Sequence, residues 1–204
     1  YQNVAGELSV SRNKGATDLA KKVTASMQAL AMAGGAFEIA LNVLAEGDAH
    51  GLERIGCLVA GHSGATPRPL AKVASGGELS RISLAIQTVT SQVAAVPTLI
   101  FDEVDAGIGG RVAEIVGLML KALGRKHQVM CVTHLPQVAA AGDHQWQVSK
   151  AAANGKAASA VAVLDRETRV EEIARMLGGV KITETTRKHA AEMLEMVSEK
   201  GARR

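Results

Sequence analysis

Aromatic residues are almost missing from this chain: Tyr1, Phe37, Phe101 and Trp146 are all that its 204 residues contain. A surface that holds single-stranded nucleic acid by stacking bases on rings is therefore excluded, and any contact with DNA is expected to be to phosphates. Cysteine is scarce as well. Cys57 and Cys131 sit in separate apolar stretches, with no zinc-site spacing, and two free thiols suit a reducing cytosol. No apolar run approaches the length of a membrane span, and the first residues lack a signal-peptide pattern, so the expected location is the cytoplasm. Charge of one sign is not in large excess either. A net charge of +3 and a pI near 9.0 permit nucleic-acid contact without requiring it. The pairs Lys21-Lys22, Arg125-Lys126 and Arg187-Lys188 read first as solvated surface.

What is present is a composition 47% hydrophobic, enough to bury a core in one domain with room for an appendage. A chain that starts with Tyr1 rather than Met reads as a piece of a longer protein. From Leu8 to Met32, apolar residues Leu19, Val23, Met27 and Leu30 recur at helical spacing, which predicts an amphipathic helix ended by Gly34-Gly35. Strands are expected from Phe37 to Leu44 and from Arg54 to Ala60, joined by a turn at Gly47-Asp48, followed by a loop from Gly61 to Pro69.

The most informative junction is Pro97-Thr98-Leu99-Ile100 running into Phe101-Asp102-Glu103-Val104-Asp105. A short apolar run suits a parallel strand covered on both faces, and adjacent acids mark where it surfaces, because a buried, unpaired carboxylate costs several kcal/mol. A periodic segment from Val112 to Leu123 and a second apolar run from Gln128 to Thr133 complete a β-α-β unit. Such crossovers set the two strands parallel, so Glu103 and His134 should emerge at one sheet edge, where ligands of open α/β sheets bind. Further on, Gln145 to Lys150 and Ala157 to Leu164 read as an antiparallel pair about Asn154-Gly155, and Glu167 to Leu177 and Thr183 to Val197 as helices.

The chemistry these residues can do follows from their types. In phosphoryl transfer one strand-end Asp helps hold Mg2+ and a neighbouring acid orients or deprotonates the attacking water; Asp102 and Glu103 can fill those roles, though a strand ending in solvated acids is the plainer alternative. Upstream, Ser75-Gly76-Gly77-Glu78 satisfies a capping box, with Ser75 accepting from the Glu78 amide and Glu78 reaching back. Two glycines in a first helical turn each cost about 1 kcal/mol against Ala, and bare backbone at a helix N-terminus is suited to phosphate, so a phosphate-binding reading is favoured over a cap alone. His134 is either a polar strand end or a group able to touch a terminal phosphate. The other histidines, at 50, 62, 127, 144 and 189, are dispersed.

In order and spacing, Ala74-Ser75-Gly76-Gly77-Glu78-Leu79-Ser80-Arg81 resembles the signature motif of ABC-type ATPases, Leu99 to Glu103 their Walker B strand, Asp105-Ala106-Gly107 their D-loop and Thr133-His134 their switch histidine. The strings VASGGELSRISLAI, TLIFDEVDAGIGG and QVMCVTHLPQVAA resemble the bacterial, SMC-like DNA-repair branch of that superfamily, over nearly the whole chain. Ala74 replaces the Leu of many transporters, which speaks against a transporter.

The resemblance implies an α/β fold: the C-terminal lobe of an ABC-type, SMC-like ATPase head, with residues 1–33 as the base of a returning coiled-coil helix and 34–204 as the lobe. No G-x-x-x-x-G-K-[ST] occurs in the chain, so the phosphate-cradling lysine would come from an N-terminal Walker A lobe and this piece alone would be inactive. The implied ligands are ATP and Mg2+, with Glu103 and His134 catalytic, Asp102 on the metal, and Ser75, Gly76, Gly77, Glu78 and Asp105 on nucleotide. The implied partners are that N-terminal lobe, a second copy through ATP-dependent head engagement, the DNA phosphate backbone at the nucleoid, and the RecA recombinase, in recombinational double-strand break repair. A helicase-type motor, from Asp102-Glu103-Val104-Asp105, and a non-enzymatic coiled-coil module are the alternatives.

Overall fold

A computed structural model describes the chain except residues 74, 91–95, 154–155, 179–180 and 203–204, and of residues 151–153, 156–157 and 197–202 it describes the backbone only. Ala74, the Asn154-Gly155 turn and the end, near Ala94, of the helix that the apolar spacing of Leu79, Ile82, Ile86 and Val89 predicts therefore lie outside the described residues. Helix α1 (Gln2–Ala29) is followed by a hairpin of β1 (Ala36–Asp48) and β2 (Gly51–Ala60), extended by the two-residue β3 (Arg68–Pro69) and a 3-10 turn (Leu70–Lys72). Then come α2 (Gly76–Thr90), β4 (Thr98–Phe101), α3 (Gly110–Leu123), β5 (Gln128–Cys131), α4 (Pro136–Ala141), the hairpin β6 (Gln145–Ala153) and β7 (Lys156–Leu164), α5 (Arg166–Gly178) and α6 (Glu184–Ala202).

The predicted β-α-β unit is present. Strands β4 and β5 pair in parallel from Thr98 opposite Gln128 to Phe101 opposite Cys131, with α3 as the crossover. Beneath them lies a core in which Met27, Leu30, Ile82, Leu84, Val104 and Val116 are fully buried, each contributing about 1.5–3 kcal/mol. Val23 and Met27 belong to α1 and Leu30 caps it, so the end of that helix is part of the same core as α2 and β4. Its last turns are fastened to β1 by side chains. Thr24 Oγ1 accepts from the Phe37 amide at 2.9 Å, and Gln28 both donates to the Gly35 carbonyl and accepts from the Gly34 amide. Farther back, Arg12 pairs with Glu53 at 3.3 Å, holding the helix along the hairpin.

Several expectations need correction. Helix α1 begins at Gln2 rather than Leu8, and β1 runs on to Asp48, because the Asp48 carboxylate accepts from the His50 amide at 2.7 Å and moves the turn beyond Gly47-Asp48. The segment after Thr133-His134 forms α4, with Pro136 at its first position, where a missing N–H costs nothing. The largest departure concerns β4 and β5. They were expected to be covered on both faces, yet Ile100 is 70% exposed, Val132 62% and Met130 39%. One face is packed on the core and the other is open, an unusual state for a parallel sheet.

A second, smaller cluster joins α4, α5 and α6 through Ala139, Ala140, Ile173, Ala174 and Ala190. The hairpin β6–β7 is tied to it by Glu172, whose carboxylate accepts from Gln147 Nε2 at 2.6 Å and from Arg175 at 2.7 and 2.8 Å. The Arg175 hydrogen bonds hold the Glu172 carboxyl below its ordinary range. A depressed carboxylate stabilises the fold above its unfolded value of about 4.3 and ceases to do so as pH falls through its folded value. Glu172→Gln should therefore cost about 1 kcal/mol near pH 7, a modest figure because half-exposed Arg175 is screened by water, and the gap from the parent should close in acid. Denaturant unfolding at pH 7 and pH 3 checks this, and a gap that stays constant would refute it.

Candidate nucleotide-binding edge

Strand β4 delivers four residues of contrasting fate: Asp102 and Glu103 are exposed, while Val104 and Asp105 are buried. Val104 anchors the turn in the core, and the Ala106 amide donates to the Glu103 carbonyl at 3.0 Å to close it. Glu103 itself has φ +56°, a left-handed conformation that a non-glycine residue adopts at a cost of order 1–3 kcal/mol and that clusters at functional sites. Its amide donates to Asp102 Oδ1 at 2.9 Å, which orients that carboxylate at the strand end.

Helix α2 packs its N-terminus against this turn. Ser80 Oγ donates to the Asp102 carbonyl at 2.6 Å, and Arg81, 7% exposed, donates through Nη1 to the Ala106 carbonyl at 2.6 Å. Burial draws the Arg81 guanidinium below its ordinary value, opposed by the nearby Glu78 carboxylate, and its Nε is a buried donor without a hydrogen-bond partner among the described residues. The two glycines have separate uses. A Cβ at Gly76 would overlap the Glu103 carboxylate, and one at Gly77 would sit 2.8 Å from Ala106 Cβ and 3.2 Å from its carbonyl oxygen. Half of the expected capping box is formed: Ser75 Oγ accepts from the Glu78 amide at 3.4 Å, whereas the Glu78 carboxylate lies toward Gly61.

From β5, Thr133 and His134 arrive at the same edge, as the crossover required. They are fixed there by Asp105: Thr133 Oγ1 donates to its carboxylate, the His134 amide donates to Oδ2 at 3.1 Å, and His134 Nδ1 lies 3.3 Å from the same oxygen. Asp102, Glu103, Asp105, His134 and Ser75 to Glu78 are thus brought together around one loop. The carboxylate of Asp105, expected on nucleotide, is turned into the chain, so the outward side of this loop is backbone, Ala106 and Gly107. Nothing in the letters distinguished this buried Asp from the exposed Asp102. Arg81 was also not singled out, although an arginine one turn into a helix that begins with two glycines was a visible signal. Cys131 beside this edge has its thiol pushed up to about 12, by burial first and then by Asp105 and Asp102, and is inert.

Among the described residues no three His, Cys, Asp or Glu side chains converge on a point that could hold a metal. Asp102 fits one position of an oxygen-ligated Mg2+, a cation that keeps waters and shares its shell with phosphates.

Comparison with known proteins decides the family. The chain is 47% identical over 201 residues, 98% of its length, to the DNA repair protein RecN of Xylella fastidiosa (strain Temecula1 / ATCC 700964), and 48% identical over 197 residues to that of Haemophilus influenzae. The chain belongs to the RecN family. The match extends to RecN of Halalkalibacterium halodurans at 39% identity over 191 residues. This chain spans about a third of those RecN proteins, 36%, 35% and 34% of their lengths. No family model matches it. Among solved structures, an Smc head domain with a coiled coil and joint from Pyrococcus yayanosii aligns over 80% of this chain and 29% of that one, with a TM-score of 0.55 and 21% identity. A structure from work on ATP-driven dimerization and DNA-stimulated activation of SMC ATPases aligns over 89% of this chain and all of its own, with a TM-score of 0.51 and 18% identity. The RecN segment therefore has the fold of part of an SMC head, mixed α/β with a parallel β4–β5 pair and an N-terminal helix.

Proposed function

We propose that this RecN segment is the C-terminal lobe of an SMC-like ATPase head, which hydrolyses ATP between two engaged heads during DNA double-strand break repair. The observation that carries the proposal is the joint placement of Asp102 and Glu103 at the end of a parallel strand, with His134 tied to the same edge and the bare N-terminus of α2 beside it. Glu103 orients the attacking water and accepts its proton, and His134 touches the terminal phosphate. Asp102 helps hold Mg2+, which when bound neutralises charge on the phosphates. Ser75 to Glu78 and the Asp105 loop receive the nucleotide carried by the second head, with the α2 N-terminus supplying unpaired N–H groups.

An N-terminal Walker A lobe, supplied by the other two-thirds of the RecN protein, supplies the phosphate-cradling lysine. Its support here is the open face of β4 and β5, where Ile100, Met130 and Val132 form an apolar row that a parallel sheet ordinarily covers. Residues 1–33 form the base of the coiled coil, consistent with exposed Val4, Leu8 and Val10 along α1, and residues 34–204 form the lobe. DNA is contacted at its phosphates, the protein works at the nucleoid, and RecA is a partner in the same repair. The helicase-type and purely structural alternatives gain no observation of their own.

Head engagement is tested at Ser75. In the full-length protein Ser75→Arg places a long cation where the opposing head's nucleotide must approach, so ATP-dependent dimerisation should be lost while ATP binding to the Walker A lobe is kept. Light scattering with and without ATP reads the first and fluorescent-nucleotide titration the second; a dimerisation curve like the parent's contradicts the proposal.

A further inference from the structure

We infer that Asp105 is a positioning residue that orients His134, an inference that rests on the ATPase reading of this edge. Asp105 is 2% exposed, and the Thr133 hydroxyl, the His134 amide and His134 Nδ1 converge on its Oδ2. No lysine or arginine shares it among the described ion pairs. Nδ1 faces a carboxylate, which only accepts, so a proton on Nδ1 suits this orientation of the ring. That leaves Nε2 as the ring nitrogen for a ligand, able to donate to a phosphate oxygen when it too is protonated, and the His134 side chain is 71% exposed, open to one. The Thr133 hydroxyl, while donating to Asp105, accepts from the Leu135 amide at 3.1 Å, which fixes the start of α4 and with it the backbone on either side of His134.

Ala106, next in sequence to Asp105, is held through its carbonyl by Arg81 of α2, so His134 and the signature helix are both referenced to one two-residue segment. Displacing Asp105 would leave the nucleotide-facing backbone in place but free the histidine to rotate. A group that orients a functional histidine typically changes function by about 10- to 100-fold when removed.

The experiment is steady-state ATP turnover by the full-length protein carrying Asp105→Ala, Asp105→Asn, His134→Ala and the double variant Asp105→Ala/His134→Ala, with thermal melting as the fold control. The expected result is a fall in kcat of about 10- to 100-fold for Asp105→Ala with KM for ATP within about threefold, and a smaller fall for Asp105→Asn, which keeps an oxygen but not the charge. In the His134→Ala background, read with enzyme in excess, the second substitution should add nothing. A raised KM with kcat kept would mean that Asp105 contacts nucleotide, and losses that multiply in the double variant would mean that it acts apart from His134; either overturns the inference. Should Asp105→Ala not fold, the Asp105→Asn comparison in both backgrounds gives the same decision. If His134→Ala and Glu103→Gln both leave turnover unchanged, the ATPase reading itself fails instead.

Discussion

Glu103→Gln in the full-length protein should lower ATP turnover by about 100-fold or more while ATP binding persists, leaving the heads engaged. The substitution keeps size and hydrogen-bonding shape but removes the exposed carboxylate that the left-handed residue after β4 presents at this edge. General-base contributions of 10²–10⁴-fold set the scale. Because Asp102 and the bare α2 N-terminus are untouched, binding should survive, so the defect belongs in kcat. Accumulation of an ATP-bound dimer on size exclusion, with radiolabelled nucleotide retained, is the expected signature. Rapid turnover in the variant would remove Glu103 from the role of base.

Substitutions at the adjacent glycines should part in the opposite sense from what their neighbourhood in sequence suggests. At Gly76 an added Cβ meets the far end of the flexible Glu103 side chain, and the helical first turn gains up to about 1 kcal/mol from Ala over Gly, so Gly76→Ala should fold as well as the parent. Its damage is to turnover, since the carboxylate must vacate its place. At Gly77 the Cβ would press on the Ala106 carbonyl and Cβ, which Arg81 and the Glu103 turn hold fixed. Gly77→Val should therefore cost about 2–3 kcal/mol, the upper range for overpacking, as α2 is pried from the loop. Chemical denaturation of the two variants side by side is decisive; equal stabilities would mean that α2 and the loop move freely past one another.

The course of the chain was legible where local chemistry and tertiary packing agree. Two apolar runs flanking the periodic Val112 to Leu123 segment gave β4, α3 and β5 with their parallel order, and the acids after Phe101 marked the strand end. The hairpins were legible as hairpins but not in extent, since the carboxylate of Asp48 rather than Gly47 sets the turn. Burial was the harder quantity. Asp102 and Asp105 are the same residue type three positions apart, and only the Val104 anchor and the donors on Thr133 and His134 decide that one faces water and the other the interior. Likewise, Ile100, Met130 and Val132 are apolar because a sheet needs both faces covered, a property of sequence that the chain by itself does not satisfy. The candidate site was therefore legible as a set of residues, while the inward turn of Asp105 and the part played by Arg81 required coordinates.

The central claim, that this segment is half of a divided ATPase site, is most directly tested by ATP hydrolysis with the 204-residue chain alone and mixed with a separately made N-terminal portion of the same protein. The account predicts no turnover by the chain alone, turnover in the mixture, and its loss with Glu103→Gln. No turnover in a mixture shown by light scattering to have assembled would contradict it and leave these residues as a binding surface without catalysis.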